Sequence, residues 1–164
     1  WSIGSQDLNY NTDTKHTGEV STDQLKSLGI EYSIIGHHDR IRDFNENATI
    51  INNKLIACLD SNIFPILCFG DNIEDNYEEV LPNILNRYLK DVQNIQFIIF
   101  AYEPIYAIGT GALPNVNKIR EVTSFVSKYL EDKYKLKKGD IVFARTGAST
   151  GKTYLYDELY GNFG

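Results

Sequence analysis

One carboxylate, Glu103, stands at the end of an apolar run and directly before a proline. The run at residues 97–100 predicts a β-strand, and Pro104 ends strand pairing because it has no N–H to donate. The segment that follows is apolar in its middle and closes on glycine, as expected of a water-excluding lid with a flexible hinge. The order predicts a general base beneath a lid formed by Pro104, Ile105, Tyr106, Ala107, Ile108, Gly109, Thr110 and Gly111. The alternative is a surface ion pair at Glu103 followed by an ordinary loop.

An imidazole, His37, follows a second predicted strand in the run Gly36-His37-His38-Asp39-Arg40. A carboxylate and an imidazole at the ends of neighbouring or next-but-one strands suit proton abstraction next to a carbonyl. One group takes the carbon proton and the other donates to the oxygen. A helix beginning after Gly36 would favour the neutral form of His37. The alternative for His37 is a hydrogen-bonded strand-end histidine without a catalytic role, and His38 is predicted to lie at the surface or to support its neighbour.

Predicted strands and helices alternate along the chain. Short β-branched strands separated by longer helical segments predict parallel βα units, in which chemistry collects at the carboxyl ends of the strands. Pro82 argues against an unbroken third helix. The predicted helices span residues 21–29, 46–61, 75–89 and 115–134, and the predicted strands span residues 32–35, 63–69, 96–102 and 140–144.

The composition, 42% hydrophobic and 23% charged over 164 residues, is that of a globular chain of about one domain. No apolar run reaches the roughly 18 residues of a membrane span, and no signal-peptide pattern begins the sequence. We therefore predict a cytoplasmic location. Cys58 and Cys68 lie in an apolar helix and an apolar strand, which predicts buried free thiols in a reducing compartment. Their spacing, without a nearby histidine, predicts no metal site.

Five separate motifs, in order, resemble those of the triosephosphate isomerase family, whose fold is a (β/α)₈ barrel. Residues 101–111 resemble its base-and-lid signature, and residues 34–40 resemble its strand-four motif. Residues 3–7, 17–21 and 66–71 resemble the end of strand three, the loop that reaches the partner subunit, and strand five. The resemblance implies an α/β fold, a partial TIM barrel of roughly elements three to six with a short extra strand at the C-terminus.

The resemblance also implies roles for single residues. Glu103 would be the base and His37 the neutral electrophile that interconverts dihydroxyacetone phosphate and glyceraldehyde 3-phosphate in glycolysis and gluconeogenesis. Asp39 would support His37 where the family has Glu, and Gly109 would donate its N–H to the phosphate of this phosphorylated triose substrate. No cofactor and no metal are implied, because enolisation needs only acid–base chemistry and charge. A homodimer interface would include Thr17, Gly18 and Glu19.

Several family motifs do not occur in the sequence. These are the Asn-x-Lys loop of the first strand, the Tyr-Gly-Gly-Ser of the seventh and the Gly-Gly pair of the eighth, all of which serve the phosphate. A charge contact to a reacting phosphate is worth about several kcal/mol, so we expect this chain alone to be nearly inactive as an isomerase. The sequence contains no methionine, and we expect that Trp1 is not a natural start. A non-catalytic chimeric remnant is the alternative function.

The tail of the chain differs from the rest in charge. A net charge of −9 before residue 133 changes to +3 over residues 133–164. Residues 137–156 resemble a segment of the DNA-specificity subunit of type I restriction systems, which implies a third hypothesis, a fragment of a DNA-recognition subunit. We therefore divide the chain into an isomerase domain, residues 1–134, and a foreign tail, residues 135–164. Too little of a recognition domain is present to read bases, so no nucleic-acid partner is predicted. Residues 147–153 also resemble a nucleotide-binding loop. Such a loop has four residues between its glycines and this segment has three, so nucleotide binding is not predicted.

Overall fold

The chain alternates short strands with helices, and the computed structural model describes residues 2–11, 16–110, 115–137, 141–146 and 153–156. Single turns of 3₁₀ helix occur at Ile95–Phe97 and Ile105–Ala107. The helices are α1 (Thr22–Ser27), α2 (His38–Phe44), α3 (Ala48–Asp60), α4 (Tyr77–Tyr88) and α5 (Val116–Tyr134). The strands are β1 (Gly4–Ser5), β2 (Tyr32–Ile35), β3 (Phe64–Phe69), β4 (Ile99–Tyr102), β5 (Val142–Thr146) and β6 (Thr153–Tyr156).

The strands form one sheet whose spatial order follows the sequence, β1 to β6. Strands β1 to β5 are parallel, and β6 pairs antiparallel with β5. The predicted α/β fold with parallel βα units is confirmed. The predicted last strand is present as β5 and pairs beside β4, where Ile99 lies opposite Val142. Strand β6 was not predicted. Because β2, β3 and β4 run in the same direction, their carboxyl ends share one edge of the sheet.

Short polar side chains, Ser or Asn, cap the N-termini of helices α1, α3, α4 and α5. The Ser21 hydroxyl accepts the N–H of Gln24 at 3.3 Å, and the Ser21 N–H donates to the Gln24 side chain at 2.9 Å, which completes a capping box for α1.

Helix α4 continues through Pro82, so the break that this proline suggested is not observed. The proline removes one backbone hydrogen bond, but Leu81 and Leu85 on the same helix are fully buried. Packing of that apolar face holds the helix together.

The main hydrophobic core lies between the sheet and helices α3, α4 and α5. Phe100 is fully buried at its centre, with Leu67 and Ile35 from the adjoining strands. The opposite face of the sheet carries a smaller cluster in which Cys68 and Ala101 are buried and pack against partly exposed isoleucines, Ile34, Ile66 and Ile99. The two faces therefore differ in coverage, as expected of strands from one arc of a barrel.

The strand that leads to Glu103 is shorter than the sequence predicted. Residues 95–97 form a 3₁₀ turn, so the prediction of a strand from residue 96 was wrong at its start. Asn94 precedes this turn in the left-handed region, with φ of 59°, and so turns the chain before β4 begins. The Phe97 ring packs edge-on against Phe64 at 6.1 Å between centroids.

Among the described residues, no helix combines the length and the apolar character needed to cross a bilayer.

Both cysteines are free and buried, as predicted. Burial raises the pKa of the Cys58 thiol to about 12, and it also raises the pKa of Cys68. Because the thiolate is the reactive form, we expect neither thiol to react with Ellman's reagent in the folded chain at about pH 8. Both should react once the chain is unfolded in urea. Rapid labelling of a thiol in the folded chain, at the rate seen in urea, would contradict the prediction.

Candidate active site

The two residues predicted to do proton transfer meet at the carboxyl edge of the sheet. His37 follows β2 and Glu103 follows β4, so one strand, β3, lies between them. The His37 Nε2 atom lies 3.5 Å from the Glu103 Oε1 atom. The Glu103 side chain is 6% exposed and that of His37 is 32% exposed. The pair therefore combines a buried carboxylate with an imidazole that solvent or a ligand can reach.

The start of helix α2 sets the orientation of the imidazole. His37 is the N-cap residue of α2, and its Nδ1 atom accepts the backbone N–H of Asp39 at 3.1 Å. A nitrogen that accepts this bond carries no proton, so the hydrogen-bond pattern assigns the ring proton of the neutral imidazole to Nε2. The Nε2–H group thus lies on the side of Glu103, where it can donate to a substrate oxygen.

Asp39 supports His37 through its backbone. Its carboxylate also lies near the ring, with Oδ2 3.5 Å from Nδ1, while Oδ1 pairs with Arg42 at 3.0 Å. Arg42 in turn contacts the carboxylate of Asp43 at 2.7 Å. All three charged side chains are about half exposed, so this surface group orders the first turns of α2 and contributes little stability by itself.

Backbone hydrogen bonds between the ends of β3 and β4 hold Glu103 in place. The Glu103 N–H donates to the carbonyl of Phe69 at 2.8 Å, and the Ile105 N–H donates to the carbonyl of Asp71 at 3.0 Å. Glu103 is therefore fixed through its own main chain. The Cys68 thiol lies beside its carboxylate: burial raises the pKa of this thiol well above the usual range, and the Glu103 carboxylate raises it further.

The described part of the predicted lid, residues 104–110, contains a short turn. Pro104 leads into the 3₁₀ turn of residues 105–107, in which Ala107 is buried, and Gly109 has a positive φ of 72°. The Thr110 hydroxyl donates to the carbonyls of Tyr106 and Ala107, each at 3.3 Å. The far hinge residue, Gly111, lies outside the described residues. The lid role of this segment stays a prediction.

Asp71 and Tyr102 form a buried contact at the same edge, for which sequence reasoning gave no role. The Tyr102 hydroxyl donates to Asp71 Oδ1 at 2.6 Å. Burial raises the pKa of Asp71, against the lowering effects of this hydrogen bond and of Lys118. Burial and the neighbouring carboxylate raise the pKa of the Tyr102 phenol. Asp71 follows β3, and only the register of β3 and β4 brings it to Tyr102.

The raised pKa of Asp71 makes stability depend on pH. The folded chain holds this proton more tightly than the unfolded chain, so Asp71 contributes less stability as pH rises from the ordinary Asp range through the raised pKa. Asn can still accept from Tyr102 but does not titrate. We therefore expect the unfolding free energy of Asp71→Asn, relative to the wild type, to increase with pH in urea titrations from about pH 4 to 7. A difference that stays flat or falls would contradict this.

A buried charge network lies beside the site and was not predicted. Lys54 is 3% exposed and contacts Asp7 at 2.6 Å and Glu46 at 2.6 Å. Arg40 contacts the same two carboxylates at 2.9 and 2.8 Å. In the sequence Lys54 is one polar residue of an amphipathic helix, so nothing there distinguishes it from a solvent-exposed lysine. The network joins the end of β1, helix α2 and helix α3.

Two hydrogen bonds from Asn9 hold residues 19 and 20 of the segment that is predicted to reach a partner subunit. The side-chain amide of Asn9 donates to the Glu19 carboxylate, and the Asn9 N–H donates to the carbonyl of Val20 at 2.9 Å. Thr17 and Gly18 are in a turn, and Gly18 has a φ of 87°. Glu19 is thus bonded within its own chain, and its place in a dimer interface stays a prediction.

The described residues contain no cluster of His, Cys, Asp and Glu that could hold a metal ion.

A carboxylate and an imidazole suited to acid–base chemistry thus meet at the carboxyl edge of a parallel βα sheet, the edge at which α/β-barrel enzymes place their active sites. Residues 1–155 match the profile of the triosephosphate isomerase family, and the chain belongs to that family. The matched region includes most of the tail that the sequence analysis set apart.

Curated relatives carry the same name as the family. The triosephosphate isomerase of Finegoldia magna is 34% identical over 163 residues, which is 95% of this chain and 65% of that protein. That of Thermodesulfovibrio yellowstonii is 35% identical over 134 residues, 79% of this chain and 54% of that protein. That of Alkaliphilus oremlandii is 30% identical over 138 residues, 80% and 56% of the two chains. The chain therefore spans about half to two thirds of the length of these relatives.

Proposed function

We propose that this chain carries the proton-transfer pair of a triosephosphate isomerase and acts on dihydroxyacetone phosphate and glyceraldehyde 3-phosphate. The observation that supports this most directly is the 3.5 Å separation of His37 Nε2 from Glu103 Oε1. A buried carboxylate beside an N–H donor is the arrangement that enolisation needs. The names of these relatives support the substrate class, and the geometry of the pair supports the two roles.

In the proposed reaction Glu103 removes a proton from the carbon next to the substrate carbonyl. The Nε2–H group of His37 donates to the carbonyl oxygen, so that negative charge does not build up there. The proton of the hydroxyl group on the first carbon moves to the former carbonyl oxygen by way of His37 Nε2, and Glu103 returns its proton to the carbon that carried the carbonyl, which converts ketose to aldose. The lid from Pro104 to Gly111 excludes water from the intermediate, and the Gly109 N–H donates to the phosphate.

Two further parts of the proposal concern assembly and the tail. We propose that the functional form is a cytoplasmic homodimer with Thr17, Gly18 and Glu19 at its interface, in line with the exposure of that turn. The change of charge near residue 133 is the observation behind a tail of separate origin, residues 135–164. The family match through residue 155 counts against that separate origin, and it supports an isomerase origin for most of the tail over a restriction-subunit origin. Salt-sensitive binding of duplex DNA by the chain would be required for the latter.

Solvent proton exchange tests the proposal. The chain is incubated with dihydroxyacetone phosphate in D₂O, and deuterium at the substrate carbon is followed by NMR. We expect slow incorporation, above the buffer rate but far below ordinary enzyme turnover, together with a little glyceraldehyde 3-phosphate, because the family motifs that serve the phosphate do not occur in the sequence. Dihydroxyacetone, which lacks the phosphate, serves as the control substrate and should exchange at the buffer rate. Exchange of the phosphorylated substrate at the buffer rate would favour the non-catalytic remnant instead.

A further inference from the structure

The backbone carbonyl of Glu103 occupies the space where residue 70 would carry a side chain. A Cβ atom at Gly70 would lie 1.8 Å from the Glu103 carbonyl oxygen and 2.8 Å from its carbonyl carbon. We propose that Gly70 is a positioning residue for the base: its missing side chain sets where Glu103 lies relative to His37. This inference rests on the proposed function for its catalytic consequence, but its structural part does not.

Space, and not backbone conformation, requires glycine at this position. The glycines with positive φ among the described residues are Gly18, Gly29, Gly36 and Gly109, so Gly70 has a φ that any residue can adopt. Ordinary van der Waals contact begins at about 3.4 Å, and the hypothetical Cβ falls about 1.6 Å short of it. The atoms it would meet are main-chain atoms, which cannot rotate away as the end of a side chain can.

The close approach of the Glu103 carbonyl to Gly70 lies between two backbone hydrogen bonds. The carbonyl of Phe69 accepts the N–H of Glu103, and the carbonyl of Asp71 accepts the N–H of Ile105. Gly70 is the residue between the two acceptors, and the Glu103 carbonyl lies between the two donors. A side chain at residue 70 would therefore push apart both hydrogen bonds at once.

Displacement of this carbonyl would move the base. The displaced carbonyl and the catalytic side chain belong to the same residue, Glu103. A shift of about 1 Å in its main chain therefore changes the 3.5 Å separation of its Oε1 atom from His37 Nε2. Misplacement of a catalytic group by about 1 Å can lower a rate about 10²-fold. Pro104 follows directly, so the near end of the lid would move as well.

A second glycine offers a matched control. Gly4 in β1 also has an ordinary φ, and a Cβ there would lie 3.2 Å from the Tyr32 Cβ and 3.3 Å from the Tyr32 carbonyl oxygen. These distances are tight but need a shift of only a few tenths of an ångström. Gly4 lies at the first strand of the sheet, away from β4. Gly4→Ala thus adds the same methyl group to the same sheet without contacting the base.

Amide hydrogen exchange, measured by NMR on the 164-residue chain, tests the structural part. In Gly70→Ala we expect the amides of Glu103 and Ile105 to exchange at least about tenfold faster than in the wild type, because their acceptors are displaced. The amides of the strand residues Leu67 and Phe100 should keep their protection. Gly4→Ala should leave the Glu103 and Ile105 amides unchanged. Unchanged exchange of both amides in Gly70→Ala would overturn the proposal.

Kinetics test the catalytic part separately. For proton exchange on dihydroxyacetone phosphate, Gly70→Ala should lower kcat about 10²-fold and change KM much less, since the reacting geometry is altered. Equal losses in Gly70→Ala and Gly4→Ala would overturn the catalytic role. If the wild-type chain shows no exchange, the proposed function fails, and amide exchange still decides whether Gly70 positions the main chain.

The unmodified chain provides a measurement that does not depend on a variant that folds. The hypothetical Cβ direction is that of one Gly70 Hα proton, and Ile105 Cγ1 lies 3.4 Å from that Cβ position. We expect a strong nuclear Overhauser effect between the Gly70 Hα and the Ile105 Hγ1 protons. Its absence from a folded, assigned sample would overturn the close approach and with it the proposal.

Discussion

Replacing Glu103 by Gln is expected to lower proton exchange on dihydroxyacetone phosphate by about 10²- to 10⁴-fold, down to the buffer rate if that is reached first. The amide has nearly the shape of the carboxylate but cannot accept the carbon proton. Its neighbours, the Phe69 carbonyl and the Cys68 thiol, remain in place. The measurement is deuterium incorporation by NMR over a range of substrate concentrations up to saturation, so that kcat and KM separate.

Glu74→Gln is the matched control for this prediction. Glu74 is an exposed carboxylate on the loop before α4, and the substitution removes the same charge from the chain. We expect its exchange rate to stay within about twofold of the wild type, as for surface substitutions away from special features. Similar losses in the two variants would show that total charge, and not the base, controls the rate.

Replacing Lys54 by Met is expected to destabilise the fold by about 3–5 kcal/mol. The methionine fits the same volume but leaves Asp7 and Glu46 with Arg40 as the remaining cation of the network. Glu46 is as buried as Lys54, so its charge would lose a partner where water cannot replace it. Urea unfolding followed by far-ultraviolet circular dichroism measures the change.

Lys128→Met is the control for this second prediction. Lys128 is an exposed residue of α5, so the same substitution there should change stability by no more than about 0.5 kcal/mol. A loss of less than about 1 kcal/mol in Lys54→Met would mean that the network is solvated, and the buried arrangement described above would be wrong.

The parts of the site that follow strand ends could be predicted from the sequence. Glu103 and His37 each come directly after an apolar run, and parallel strands bring such positions to one edge. The lid segment carries its own local signals, a proline at one end and glycines at the other. The strand-end positions thus predict both that Glu103 and His37 are candidate site residues and that the two lie at the same edge of the sheet.

Other parts depend on contacts between distant residues, and no local signal marks them. Lys54 contacts Asp7 across 47 positions of sequence, and Tyr102 contacts Asp71 across 31. The role of Gly70 is of the same kind, because a glycine after a strand predicts only a turn until its neighbour is known. The early turn at residues 95–97 was missed since Phe97 and its neighbours have high strand propensity, which tertiary packing overrode.

Because His37 caps α2, the chemistry of its ring is linked to a local folding equilibrium. The helix has seven residues, none of them fully buried, and helices of this length are marginal without tertiary support. When α2 frays, Nδ1 loses the Asp39 N–H, and the ring proton is free to move from Nε2 to the other nitrogen. The free energy of that opening therefore limits the fraction of molecules ready to react. At about 1.4 kcal/mol, roughly one molecule in ten would have this cap open at any moment.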